Sequence, residues 1–384
     1  MSARAVRWSA LAAIAIVLSG CWDYVDLERR APVMGLAIDV DKDGAGGGIV
    51  VTAEFARATA VAQTSASQGG GLQQEVPFTL ISASGPTVAE ALRNLDGSIA
   101  RRILWQQLIA VVVSMDVLRE NLAPILDPIL RNPEVNSRAK VFVSAGDARD
   151  VLAYQPDFQP FSAIFLDELG EGFTYNPRFA RPRSVHELDS DLEEGAALLP
   201  VVVDDDHGRK VLAGAAIVAN GTFAGRIDAE TTEGANWLLG YTLQSLVYVP
   251  CPVAPDNSIT LMLSPGQRHV RGHLDQDVPH FELSLRASAR IVDMARCPLQ
   301  VKEVKYRRLI ERQASQLLAQ RAQKAADTAR ELGIDFIRLR SHARRLNPDL
   351  ALPRTWAGTF PKSVITINAD VKLRDAGELY RTPF

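Results

Sequence analysis

The sequence predicts a chain of three domains, α/β in its first part and α+β in its last, with mixed sheets flanked by helices. Three observations carry this. Short apolar runs alternate with helical periodicities from Met34 to Tyr154. From Tyr248 onward, strands of alternating apolar and polar residues precede one long amphipathic tract and a last strand. The 384 residues also exceed what a single hydrophobic core usually organises.

The first twenty residues stand apart. Met1 to Arg7 carries Arg4 and Arg7 without an acidic residue, and Ser9 to Leu18 (SALAAIAIVL) is almost purely apolar. Ten residues reach about 15 Å as a helix, against roughly 30 Å of hydrocarbon, so the run suits a signal-peptide core and is a poor permanent span. Leu18-Ser19-Gly20-Cys21 follows and matches the lipobox of bacterial lipoproteins. Small residues at 19 and 20 let the chain lie extended in a peptidase groove. Cleavage is expected before Cys21, whose thiol takes a diacylglycerol and whose freed amine takes an acyl chain. More than one chain is needed for stable anchoring, because each buried methylene contributes about 0.8 kcal/mol. The expected location is the outer face of a cytoplasmic membrane. An ordinary secretory signal with an incidental cysteine is the alternative.

Residues 21–190 read as an N-terminal α/β domain. Met34–Val40 and Ile49–Ala58 form two strands around the turn Asp41–Gly48, followed by a loop over Thr59–Glu75 and a strand at Val76–Ser82. Val88, Ala91, Leu92 and Leu95 have helical spacing behind Pro86. Leu108–Ser114 and Ala139–Ala145 are all-apolar runs, the pattern of strands covered on both faces. One or two helices lie between them, up to Asn132-Pro133, and Asp147 is placed to cap a helix over Ala148–Tyr154. Pro156–Glu194 reads as a boundary with one helix near Phe161–Gly170.

A small β-rich middle domain is expected over 195–247. Its strands are Ala196–Val203, Val211–Val218 and Thr222–Ile227, and Asn220-Gly221 is a strong hairpin signal between the last two. A short helix is expected over Thr231–Gly240. Residues 248–384 form an α+β domain: strands at Ser258–Leu263, Gln267–Leu274 and Phe281–Val292, a long helix over 299–332, a shorter one over Ile334–Leu346 and a final strand at Val364–Leu373.

Charge and chemistry exclude more than they assign. Removing Arg4 and Arg7 from the 42 basic residues leaves 40 against 45 acidic, a net charge of −5 with no excess to neutralise phosphates, so no nucleic-acid partner is expected. Asp39-x-Asp41-x-Asp43-Gly44 has calcium-loop spacing, but Val50 stands where the bidentate glutamate belongs, and hairpin turns use the same residues. Asp204-Asp205-Asp206-His207 could ligate a cation, yet four consecutive residues cannot all face one ion. His269 and His273 would share a strand face about 13 Å apart, too far for one metal. The run Gly46-Gly47-Gly48 leads into a strand and offers no helix N-terminus to an anion. No nucleophile elbow, metalloprotease helix or phosphate loop is present. No catalytic, cofactor or metal site is expected. Cys251 and Cys297 could pair outside the cytoplasm or remain separate thiols. Arg338, Arg340, Arg344 and Arg345 make a basic patch on or beside one short helix, suited to anionic headgroups or an acidic partner, or simply solvated.

Cys21-Trp22-Asp23, running through Leu27-Glu28 to Gly35-Leu36-Ala37-Ile38-Asp39, resembles the mature start of the Ger(x)C family of spore germination lipoproteins. Ala89-Glu90-Ala91-Leu92-Arg93 resembles that family's first helix, and Leu130-Arg131-Asn132-Pro133-Glu134 its Arg-Asp-Pro-Glu turn with Asn for Asp. Gly214-Ala215-Ala216 and Phe223-Ala224-Gly225 resemble its central segment. Ile334-Asp335-Phe336, Asn347-Pro348, Trp356 and the strand from Val364 resemble its C-terminal one. Departures are Asp335-Phe336-Ile337, where the family often has Gly-Phe or Gly-Tyr, and the two cysteines. The resemblance implies a three-domain lipoprotein, the C subunit of a nutrient germinant receptor. It would sit beside polytopic A-type and B-type membrane subunits in the inner membrane of the dormant spore. The implied role is non-enzymatic, in assembling or supporting the receptor. The rival readings are a ligand-binding lipoprotein feeding a membrane transporter and an extracytoplasmic hydrolase.

Overall fold

A computed structural model of the chain describes residues 30–42, 48–57, 76–241, 244–294, 296–299 and 303–375. The lipobox with Cys21, the Asp43-Gly44 part of the first turn and the loop 59–75 lie outside the described residues. In chain order the elements begin β1 Arg30–Val40, β2 Ile49–Ala56, β3 Phe78–Gly85, α1 Val88–Gly97, β4 Arg102–Leu104, β5 Ala110–Ser114, α2 Met115–Glu120 and α3 Ala123–Arg131. They continue with β6 Lys140–Ser144, α4 Ala148–Leu152, α5 Ser162–Glu171, β7 Arg183–Ser184, α6 Val185–Glu193, β8 Ala196–Asp204, β9 Lys210–Ala219, β10 Thr222–Ile227 and α7 Ala229–Leu239. The last part holds β11 Ser245–Cys251, β12 Ala254–Asp275, β13 Val278–Asp293, α8 Val304–Leu332, α9 Arg340–Leu346, α10 Pro353–Thr359 and β14 Val364–Asp375.

Two mixed sheets organise these elements. The larger runs β10-β9-β8-β6-β5-β1-β2-β3, with β4 beside the start of β1 and β7 beside β6. The smaller runs β11-β12-β13-β14. The expected separate middle domain over 195–247 is therefore corrected. Val143 and Ser144 of β6 pair in parallel with Val201 and Val202 of β8, so the three middle strands extend the first sheet. The boundary at 247 also cuts β11, which starts at Ser245. The reason is burial on both faces of β8 and β9. Leu199, Val201 and Val218 pack under the helix layer of α1, α2, α3 and α6, while Leu198, Ala215 and Ile217 join a core shared with the second sheet and α8.

Other differences are local. Pro156–Glu194 holds α6 as well as α5, and α6 starts with a capping box between Ser184 and Glu187. The expected strands 258–263 and 267–274 are one long β12 carrying an irregularity between Pro265 and Arg268. Helix α8 starts at Val304 rather than 299 and ends at Gly333, whose φ of 69° is the left-handed cap a glycine accepts readily. Asn220 and Gly221 have φ of 51° and 80°, as their hairpin turn requires.

Helices α7 and α8 join the two sheets. Gly234 of α7 lies against the α8 backbone so closely that a Cβ there would stand 2.2 Å from the Arg321 carbonyl oxygen. Beside it, the buried Glu233 carboxylate takes the Arg321 guanidinium at 2.9 Å. Cys251, at the end of β11, is joined to Cys297 after β13 by a disulfide with Cα atoms 5.7 Å apart. Among the described residues no helix is long and apolar enough to cross a membrane.

Candidate functional site

A cavity of about 480 Å³ opens beside the start of the first sheet. Helix α1, capped by the Thr87 side chain, supplies Ala89, Leu92, Arg93 and Asp96. Helix α3 and the turn after it supply Pro128, Ile129, Asn132, Glu134 and Val135. The floor is Leu36, Ile103, Trp105 and Leu108. The turn is fixed locally: the Asn132 side-chain oxygen accepts the Glu134 amide at 2.9 Å, and the Asn136 amide group donates to the Leu108 carbonyl at 2.9 Å. Arg102 and Glu134 pair across the rim, exposed to solvent. The site thus has an apolar floor and a rim of Arg93, Asp96, Arg102 and Glu134, in a volume typical of small-ligand pockets. Sequence reasoning marked Ala89–Arg93 and Leu130–Glu134 as landmarks and did not foresee that they face each other.

The buried carboxylates are engaged in structure. Asp39 of β1 accepts the Ala148 and Arg149 amides at 2.7 and 3.0 Å, capping α4 from another strand. The expected cap, Asp147, instead pairs with Lys42 at 2.6 Å in solvent. Glu54 of β2 accepts the Ser162 and Ala163 amides at 2.7 and 3.1 Å, and burial pushes its carboxyl up to about 7. Asp335 accepts the Leu339 and Arg340 amides and the Trp356 indole N–H at 2.9, 2.7 and 3.0 Å, and burial raises it to about 6. Each carboxylate satisfies the orphan donors of a helix or turn start.

The cation candidates resolve into turns. Asp205 accepts the His207 and Arg209 amides, both at 2.9 Å, and pairs with the Arg209 side chain; these Arg209 contacts hold its carboxyl down to about 2. Asp204 pairs with Lys210 at 2.7 Å. The acidic first turn closes with the Asp41 amide on the Gly48 carbonyl at 2.7 Å. His269 and His273 do share the outer face of β12, and His273 stacks on His280 across the hairpin at 5.0 Å rather than approaching His269. Among the described residues no group of three or more His, Cys, Asp or Glu is placed to hold a metal ion.

The expected basic patch is divided. Arg338, at a φ of 62°, reaches Asp191 of α6, which also takes Arg183 at 2.9 Å; Arg183 in turn donates to the Tyr241 hydroxyl at 2.7 Å. Arg340 donates to the Ala351 and Glu194 carbonyls. These two arginines tie the C-terminal unit to the first sheet's helix layer. Arg344 and Arg345 remain exposed.

Comparison with known proteins accords with this geometry. Residues 23–203 match the family described as Spore germination protein N-terminal domain, and residues 213–377 match Spore germination B3/GerAC like, C-terminal. The chain belongs to the Ger(x)C family of spore germination proteins. Among curated relatives, a putative spore germination protein YfkR of Bacillus subtilis (strain 168) is 32% identical over 168 residues, 43% of this chain and 42% of that one. Spore germination protein B3 of the same organism is 22% identical over 295 residues, 75% of each chain. The crystal structure of the GerBC protein shares the fold, with a TM-score of 0.56 at 13% identity, covering 92% of this chain and all of that one. The Ger(x)C landmarks now have physical roles. Gly35 leaves room for Leu152, whose Cδ2 would lie 2.8 Å from a Cβ there. Asp39 caps α4, Asp335 receives Trp356, and Phe336 is buried.

Proposed function

We propose that this chain is a lipid-anchored, non-enzymatic subunit of a spore nutrient germinant receptor, required for assembly of the receptor and for the germination response. Family membership of both halves behind a lipobox is the observation that carries the reading. Cys21 would carry the S-diacylglycerol and the N-acyl chain, holding the protein on the outer face of the spore inner membrane beside polytopic A-type and B-type subunits. The carboxylates of Asp39, Glu54 and Asp335 cap helix or turn starts, and those of Asp191 and Glu233 hold arginines of other elements, which suits a scaffold. Two experiments test it. Deleting the gene should abolish nutrient-triggered germination and spare sporulation. A Cys21→Ala protein should leave the membrane fraction and fail to restore the response. Normal germination in a deletion strain without a redundant receptor overturns the proposal.

One observation favours a second reading, a ligand-binding lipoprotein feeding a transporter: the cavity between α1 and α3, with its apolar floor and charged rim. That reading expects a nutrient at a hundred times its dissociation constant to stabilise the isolated chain by about 2.7 kcal/mol. A thermal-shift screen of nutrients that moves nothing removes it.

A further inference from the structure

Among the described residues the far half of β12 carries a strand on one side only. β11 pairs with β12 only as far as Leu263, whereas β13 follows β12 to Asp275. Gln276 and Asp277, with φ of 47° and 68°, form the two-residue turn. Asp275 and Val278 flank it as a hydrogen-bonded pair, so alternation makes Val270, Gly272 and Leu274 the residues whose N–H and C=O point away from β13. Among the described residues no backbone group beyond β13 meets 269–275.

Basic side chains flank this edge on both faces. His269, Arg271 and His273 project from the outer face, in register with Ser284, Glu282 and His280 of β13. On the inner face α9 packs against β12, with Leu346 against Gly272, and carries His342, Arg344 and Arg345. Burial above all, with Arg345 and Arg268 adding to it, depresses His342 to about 4, so the charge that α9 brings is that of Arg344 and Arg345. The acidic groups nearby are Asp275 and Asp277 at the tip and Glu282, which Asn368 holds at 2.9 Å.

We infer that the β12 edge from His269 to Asp275, with α9 beside it, receives an extended acidic segment of a partner protein as an added strand. Outward amides and carbonyls supply the ladder, and Arg271, Arg344 and Arg345 select acidic side chains. A second copy fits poorly, because antiparallel self-pairing would set the His269-Arg271-His273 row against itself. A lipid headgroup satisfies the charge and leaves the backbone row unused. The inference rests on the reading of the chain as an assembly subunit, and its test involves no germination step, so either can fail alone.

Hydrogen exchange on the full chain in nonionic micelles tests it, with a twelve-residue peptide alternating Thr and Glu as probe. Exchange at Val270, Gly272 and Leu274 is expected to slow at least tenfold, with no effect from a Thr-Lys peptide. Arg271→Glu, which leaves the backbone intact, and Leu274→Pro, which removes one outward N–H, should each weaken peptide binding at least tenfold in a chain of unchanged circular dichroism. Several results overturn the inference: no protection by the acidic peptide, binding indifferent to Leu274→Pro while Leu274→Pro stays folded, protection that follows protein concentration, or protection by phosphatidylglycerol in the micelles with none from the peptide.

Discussion

The Asp39 carboxylate accepts the Ala148 amide at 2.7 Å, joining positions 109 apart in the chain. A strand residue thereby supplies the cap that the residue next to the helix does not. Asp39→Ala leaves the Ala148 and Arg149 amides without acceptors and is expected to cost about 2 kcal/mol in urea unfolding. Asp147→Ala, which breaks only a solvent-exposed pair with Lys42, should leave the midpoint where it was.

Glu54 sets a pH dependence. Its folded-state pKa of about 7 lies above the unfolded value near 4.5, so the native state binds more protons between these limits. Stability should therefore fall as pH rises from about 4.5 to 7 and stay level above, by at most about 3 kcal/mol from this group. Glu54→Gln should flatten that slope; an unchanged slope, measured by urea unfolding at intervals of pH, refutes the assignment.

Reduction should weaken the C-terminal unit. The Cys251–Cys297 bridge closes 46 positions of chain, which a loop-entropy estimate makes worth about 4 kcal/mol. The Cys251→Ser, Cys297→Ser double variant should unfold at lower denaturant, and dithiothreitol should then have no further effect.

Asp191→Ala takes the nearest carboxylate from the buried Arg183, which keeps the Tyr241 hydroxyl and a longer approach to Glu187, and releases Arg338, with an expected cost of about 2–3 kcal/mol. Arg338→Ala, which removes the more exposed partner, should cost less. Tryptophan fluorescence and far-ultraviolet circular dichroism should separate into two transitions in Asp191→Ala if this pair helps hold the two units together.

Gly234→Ala places a methyl group into the α8 backbone, and helices cannot part there without opening the shared core. The expected loss is about 3 kcal/mol, read as a lower thermal midpoint. Gly97→Ala, where the added carbon meets nothing, serves as the control.

Much of this was legible in the residues. The apolar runs Leu108–Ser114 and Ala139–Ala145, where the strands Ala110–Ser114 and Lys140–Ser144 form, and the Asn220-Gly221 turn carry local signals strong enough to place strands and a hairpin. Helix α6 was hidden by the acidic, proline-rich stretch around it, although Ser184 and Glu187 already form a readable capping box. Partners distant in sequence were not legible. Nothing local places Asp39 at α4, Arg338 at Asp191, or α1 across a cavity from the Asn132 turn, because those meetings are fixed by packing of whole elements. For the same reason the middle strands looked like a unit of their own, since strand order is decided by which edge is left open.

The family's two matched segments meet between residues 203 and 213, inside the β8–β9 hairpin. Evolutionary modules and mechanical parts therefore do not coincide here. A fragment ending at that seam would present the bare flank of β8 to other molecules, and in the complementary fragment β9 and β10 would keep the core they share with α8 but lose the β8 ladder and the cover over Ala216 and Val218. Expressed separately, each half is destined for aggregation or proteolysis. Hybrids with relatives should be spliced after Gly240, where the sheet is already complete.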